Sequence, residues 1–155
     1  MKVLDLDLDK FDALVFDLDG TLVDSMSYHN KAWIESFGAF GVSITEDFLF
    51  STAGMGSERL IALVASQKSV ELDIEAVSSM KREKYFQNMS EVKLLEPMMD
   101  VVKHYYQKKP LGIVTGGSHA TVDVLLAKLG IDHYFDSVVC ADDTQLGKDS
   151  VEPYE

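Results

Sequence analysis

Ala13-Leu14-Val15-Phe16, followed by Asp17-Leu18-Asp19-Gly20-Thr21-Leu22-Val23-Asp24-Ser25, is the stretch that decides the fold. The four apolar residues are too few for a helix and end abruptly at a carboxylate with turn residues behind it. They read as a buried strand that delivers Asp17 to its C-terminal end. Two aspartates one residue apart at such a place are costly to desolvate unless they are paired or bound to a cation. Gly20 permits the sharp turn that follows. One carboxylate suits attack on phosphorus, and a second suits acid and then base catalysis beside it.

Outward from this point the texture changes. From Ser25 to about Asn88 the apolar spacing is helical: Tyr28, Ala32, Phe37 and Phe40; then Leu60, Ile61, Leu63 and Val64 behind Ser57-Glu58; then Ile74, Val77, Met80, Lys81 and Tyr85 behind Asp73. Trp33, Phe37 and Phe40 read as core of this helical part. Pro97 opens another helix that reaches about Gln107, with Met98 and Met99 as packing residues. Leu111-Gly112-Ile113-Val114 reads as a second strand ending at Thr115. Gly116-Gly117 breaks it, Ser118 is the expected N-cap, and a helix runs to Leu129 with Gly130 as its stop. Ser137-Val138-Val139-Cys140 is a third strand, ending near Asp142-Asp143. Strand, helix and strand in succession imply a parallel crossover. Ligands of open parallel sheets sit outside the carboxyl ends of the strands, where Asp17, Thr115 and Asp142 all fall. Thr115 with the N–H groups of Gly116 and Gly117 would face a phosphoryl group at a helix N-terminus.

The chain has 155 residues, with 14 Lys+Arg against 26 Asp+Glu, a formal charge of −12. That balance disfavours nucleic-acid backbones and anionic membrane surfaces as partners. No apolar run approaches the roughly 20 residues of a membrane span, and MKVLDLDLDK is not a signal peptide. The single Cys140 excludes an internal disulfide and a cysteine-based zinc site, and reads as a small buried strand residue. A cytoplasmic location is the simplest expectation. Leu4, Leu6 and Leu8 alternate with Asp5, Asp7 and Asp9, as in a short edge strand or extended lead-in. The D-x-D-x-D there is no calcium loop, because Lys10 stands at the turn-glycine position and Phe16 at the bidentate-glutamate position.

The nonapeptide from Asp17 to Ser25 resembles the first motif of the haloacid dehalogenase superfamily. DSMSYHNKAW (24–33), GMGSER (54–59), Thr115-Gly116 and LGIDHYFDSVVCADD (129–143) resemble its beta-phosphoglucomutase-like and fructose-1-phosphate phosphatase-like members. The resemblance implies an α/β fold, a Rossmann-like parallel sheet core with a small α-helical cap. The core would take residues 1–23 and 91–155, and the cap residues 24–90. It implies Asp17 as nucleophile and Asp19 as general acid/base, with Mg²⁺ held by the Asp17 side chain and the Asp19 carbonyl. It implies Thr115, Gly116 and Gly117 around the transferring phosphoryl, and Lys148 as the cation of the third motif. In the cap, Arg59 would contact substrate. His29 would contribute to substrate binding and couple Asp19 to closure of the cap.

This chain departs from the pattern in two places. Asp149-Ser150-Val151 follows Lys148 where the family usually places prolines. The family's fourth motif, an acidic pair after a further strand, has no counterpart, since Asp142-Asp143 precedes Lys148. The expectation is therefore a fragment of a longer protein, its core missing C-terminal strands and its first strand left as an open edge. The function expected is a Mg²⁺-dependent phosphohydrolase acting on a small sugar phosphate through an aspartyl-phosphate. A hexose phosphomutase, and a catalytically incomplete fragment or binding module lacking the fourth acidic motif, remain as alternatives. A haloacid dehalogenase has no need of Asp19.

Overall fold

A computed structural model describes residues 2–3 and 6–155. The lead-in forms a ribbon of its own: β1 (Lys2–Val3) pairs antiparallel with β2 (Leu6–Asp7), and a 3₁₀ turn over Leu8–Lys10 follows. This ribbon is separate from the main sheet, so the lead-in is not its edge strand. Leu4 and Asp5 of the alternating stretch lie outside the described residues.

The main sheet has three parallel strands. β3 (Leu14–Phe16) lies beside β6 (Leu111–Val114), which lies beside β7 (Ser137–Val139). Phe16 pairs with Ile113, and Val114 with Val139, so the carboxyl ends of all three strands emerge together. β6 is central and wholly buried, as its unbroken apolar run requires. The Asp136 carboxylate and backbone seal its start, the first accepting the Leu111 N–H at 2.8 Å and the second donating to the Leu111 carbonyl at 2.8 Å. β3 is an edge strand, and Val15 on it is 56% exposed.

Between β3 and β6 run α1 (Met26–Ala39), α2 (Glu46–Ser51), α3 (Ser57–Lys68), α4 (Ile74–Asn88) and α5 (Glu96–Tyr105). Local chemistry fixes several of their starts: Thr45 caps α2 through the Phe48 N–H, and Asp73 caps α4 through the Ala76 N–H. Trp33, Phe37, Leu49, Ile61, Val64 and Val77 form an apolar cluster belonging to helices α1–α4 alone. The sheet has a larger cluster with α5 and α6 (His119–Leu129). Ala32 and Tyr85 reach out of α1 and α4 into this second cluster, so the two halves share packing.

A pair of very short strands ties the helical segment to the sheet. β4 (Val23–Asp24) runs antiparallel to β5 (Lys93–Leu94), and the Leu95 N–H reaches the Leu22 carbonyl at 2.9 Å. Both passages of the chain between sheet and helices are thereby laced together.

Candidate active site

Phe16 ends β3, and the backbone then turns back on itself. The Leu18 carbonyl accepts the N–H groups of Thr21, Leu22 and Val23, and the Gly20 N–H reaches the Val23 carbonyl at 2.8 Å. Gly20 takes φ +75, which a side chain would strain, and a Cβ there would stand 3.2 Å from Met26 Cγ. Leu18 and Leu22 anchor the turn, with relative exposures of 1% and 0%. The aspartates at 17 and 19 alternate with these anchors.

The Asp17 carboxylate is partly open, its side chain 42% exposed. Its Oδ1 accepts the Leu18 N–H at 2.8 Å and meets Lys148 Nζ at 2.9 Å. Asp19 is similarly one-sided: its Oδ1 accepts the Ser25 hydroxyl at 2.5 Å and meets His29 Nε2 at 2.9 Å. Among the described residues, neither aspartate engages Oδ2 in a hydrogen bond or ion pair. The main chain here bonds through the Leu18 carbonyl and the Gly20 N–H, not through the Asp19 carbonyl.

His29 on α1 connects Asp19 to a second helix. Its other ring nitrogen, Nδ1, lies 2.9 Å from Lys81 Nζ on α4. An ammonium only donates, so Nδ1 is the acceptor and Nε2 carries the hydrogen toward the carboxylate. The imidazole stacks on Tyr85 at 4.0 Å with 7° between planes, and Lys81 Nζ stands 5.3 Å from both the Trp33 and Tyr85 ring centroids.

The electrostatics follow from this packing. Burial alone would raise Asp19, but the His29 hydrogen bond and charge, the Ser25 hydroxyl and the Lys81 charge outweigh it and hold the carboxyl below its ordinary range. Burial and the Lys81 charge push His29 down, so the ring is neutral near pH 7. Burial pushes Lys81 down to about 8. Sequence reading placed Lys81 only at helical spacing behind Asp73 and gave it no part in the site. Its signal was a cation standing on the stripe of Ile74, Val77 and Tyr85.

The other expected residues divide. Thr115 is buried after β6, and its N–H bonds the Val139 carbonyl at 2.9 Å. The Gly117 N–H is turned inward to Thr115 Oγ1 at 3.1 Å, so it is not an outward donor in this arrangement. A Cβ on Gly116 would meet the Gly54 carbonyl oxygen at 3.3 Å, which places the α2–α3 loop directly against the 115–118 loop. Arg59 on α3 reaches across to the segment after Lys148, its Nη1 3.4 Å from Asp149 Oδ2. Ser118 holds the N-cap position of α6, yet its side chain makes no cap bond. Asp142 does so instead, accepting the His119 N–H at 3.1 Å. The Asp143 carboxylate is taken by His119 and the Cys140 N–H. Both acids of the 142–143 pair are thus turned to α6 and their own loop.

A three-stranded parallel core with paired carboxylates at its strand ends defines a class, and comparison with known proteins identifies it. The family of haloacid dehalogenase-like hydrolases matches residues 11–155. The chain belongs to this family. It is 32% identical over 134 residues to the fructose-1-phosphate phosphatase YqaB of Escherichia coli (strain K12), covering 86% of this chain and 71% of that protein. It is 30% identical over 142 residues to the validoxylamine A 7'-phosphate phosphatase of Streptomyces hygroscopicus subsp. limoneus, covering 90% and 66%. Among solved structures, a hydrolase from Pseudomonas syringae superposes with a TM-score of 0.83 at 21% identity, covering 93% of this chain and 68% of that one.

Proposed function

We propose that this hydrolase cleaves phosphate monoesters of small metabolites, sugar phosphates foremost, through an aspartyl-phosphate on Asp17. One observation carries the reading: at the carboxyl end of β3, Lys148 and the Leu18 N–H hold Asp17 by Oδ1 while, among the described residues, Oδ2 is unengaged. The names of the relatives, a fructose-1-phosphate phosphatase and a validoxylamine A 7'-phosphate phosphatase, support the substrate class. The division into a sheet core (1–23 and 91–155) and a helical cap (24–90) belongs to the same proposal. Helices α1–α4 carry a cluster of their own and hang from the β4–β5 pair, which supports it.

Asp17 Oδ2 attacks phosphorus, and the bond from phosphorus to the ester oxygen breaks. Asp19 gives its proton to that oxygen. Asp19 then takes a proton from water, whose oxygen attacks the aspartyl-phosphate and regenerates Asp17. Asp19 is ionised in the arrangement seen here, so the acid step needs its carboxyl raised. A phosphate dianion seated beside it raises it, since like charges disfavour ionisation. Lys148 draws charge from the phosphoryl oxygens, and Thr115 with the Gly116 N–H positions them. The Gly54 loop over Gly116 limits access of bulk water.

The donor set fits magnesium. The Asp17 carboxylate and the Asp19 carbonyl are hard oxygens, and the turn's own hydrogen bonds leave that carbonyl outside their ladder. Those two groups would hold the ion, which supplies charge neutralisation for the phosphoryl oxygens.

The test is phosphate release from a panel of sugar phosphates by this chain with Mg²⁺, against Asp17→Asn. The variant should lose on the order of 10³-fold or more in turnover. Equal turnover of the two proteins would remove Asp17 from the chemistry. Accumulation of an isomeric hexose phosphate would select the phosphomutase instead.

A further inference from the structure

We propose a second cation site, for Zn²⁺, formed by His119, Cys140, Asp142 and Asp143 on the outer side of the β7–α6 junction. One ligand atom from each of the four residues lies within 4.8 Å of the other three. A tetrahedral zinc site with Zn–N and Zn–O near 2.0–2.1 Å and Zn–S near 2.3 Å needs ligand atoms roughly 3.3–3.8 Å apart, so the widest separations must close by about 1 Å while the Nε2–Oδ2 pair of His119 and Asp143, at 2.8 Å, opens.

The thiol is the observation that points to a ligand. Cys140 is 1% exposed and, among the described residues, its thiol makes no hydrogen bond. It is nevertheless aimed into a group containing an imidazole and two carboxylates. The histidine is also set as zinc-binding histidines are. Nδ1 of His119 lies 3.1 Å from Asp123 Oδ1, while Nε2 points to Asp143 Oδ2 at 2.8 Å. A carboxylate behind one ring nitrogen fixes the tautomer and leaves the other for a metal. His119, Asp142 and Asp143 all reach solvent, which gives an entry path.

The donor types choose among cations. Thiolate and imidazole suit zinc, whereas magnesium and calcium take oxygen ligands. A single cysteine excludes a site built on several thiols, whereas the site proposed here takes one thiol, one histidine and two acids. On binding, the thiol proton and the proton between Nε2 and Asp143 leave to solvent as the metal–sulfur and metal–nitrogen bonds form. Because the Ala141 N–H bonds the Gly117 carbonyl at 2.9 Å, a cation here would fasten the 140–143 loop to the 115–118 loop.

The experiment is Co²⁺ titration of the intact chain, freed of metal and kept reduced, followed by Zn²⁺ displacement. One Co²⁺ per chain should bind with a thiolate-to-cobalt charge-transfer band, and Zn²⁺ should abolish it while excess Mg²⁺ does not. Cys140→Ser should lose the band. His119→Ala, at a half-exposed position that spares the core, should weaken binding, and Asp123→Asn should weaken it about tenfold or more. Asp17→Asn should leave the band unchanged. Absence of the band, or a band untouched by His119→Ala, overturns the proposal, as does loss of the band in Asp17→Asn.

Discussion

Lys81 stands among aromatic rings with its ammonium on a histidine nitrogen, and that placement has a cost that pH can read. Its pKa, pushed down to about 8, lies below the ordinary 10.5. The unfolded chain therefore holds the extra proton between those values, and stability rises with pH across that window. The contribution is fully present above 10.5 and is lost as pH falls through 8. Lys81→Met removes the titration, so urea melts of the variant should no longer gain stability between pH 8 and 10.5. Activity should move the other way. Without the ammonium, His29 loses its tautomer lock, and turnover should fall by roughly 10- to 100-fold. The basic limb of the pH–rate profile near 8 should disappear with it. Tyr85, beside this lysine, has a buried hydroxyl without a hydrogen-bond partner among the described residues. Tyr85→Phe should hold or raise stability, by up to about 1 kcal/mol in chemical denaturation. At this scale Asp17 and Asp19 were legible as a pair of strand-end carboxylates, whereas Lys148 was expected only from the family resemblance, and tertiary packing is what brings its Nζ to 2.9 Å from Asp17 Oδ1. Lys81 was not. A lysine at helical spacing reads as an apolar-face neighbour with a solvated tip, and only tertiary packing shows the tip enclosed.

Between elements, the contact of widest consequence is backbone to backbone, where the Gly54 carbonyl faces Gly116. A methyl at 116 would press on a carbonyl oxygen at 3.3 Å, with no flexible side chain to yield. Gly116→Ala should push the α2–α3 loop outward while leaving the three-stranded sheet intact. The expected result is a KM raised severalfold with a thermal midpoint nearly unchanged, read from steady-state kinetics and calorimetry. The long elements were legible from periodicity: the apolar run of β6 and the Gly130 stop of α6 stand where the sequence put them. The β4–β5 pair was invisible because strands of two residues are too short to show alternation. The cap of α6 was assigned to Ser118 on propensity, but the hydrogen bond comes from Asp142, more than twenty residues later in the chain. Local preference names the position of a cap and not its acceptor.

At the scale of the molecule, β3 leaves one side of the sheet unpaired among the described residues, with Val15 56% and Phe11 51% exposed on or near it. A short apolar edge invites pairing with a second chain. Val15→Lys should lower self-association, measured by sedimentation at rising concentration, with a stability change within about 0.5 kcal/mol. The parallel architecture was legible from strand, helix and strand in succession, whereas the open edge beside β3 was expected only from the family resemblance. The sharing of packing between the two halves was not. Ala32 and Tyr85 look like members of a helical unit until the fold turns them into the sheet's cluster.

The lacing of Val23–Asp24 to Lys93–Leu94 brings the outgoing and returning chain to one narrow neck. Whatever is threaded between those points meets the sheet at the same two places. Residues 26–92 can then be exchanged for a loop or bundle of another length without disturbing the strand order beneath. A chimera that keeps the neck and swaps the helices should change which molecules are admitted, provided that the histidine which meets Asp19 and the lysine behind it are carried over.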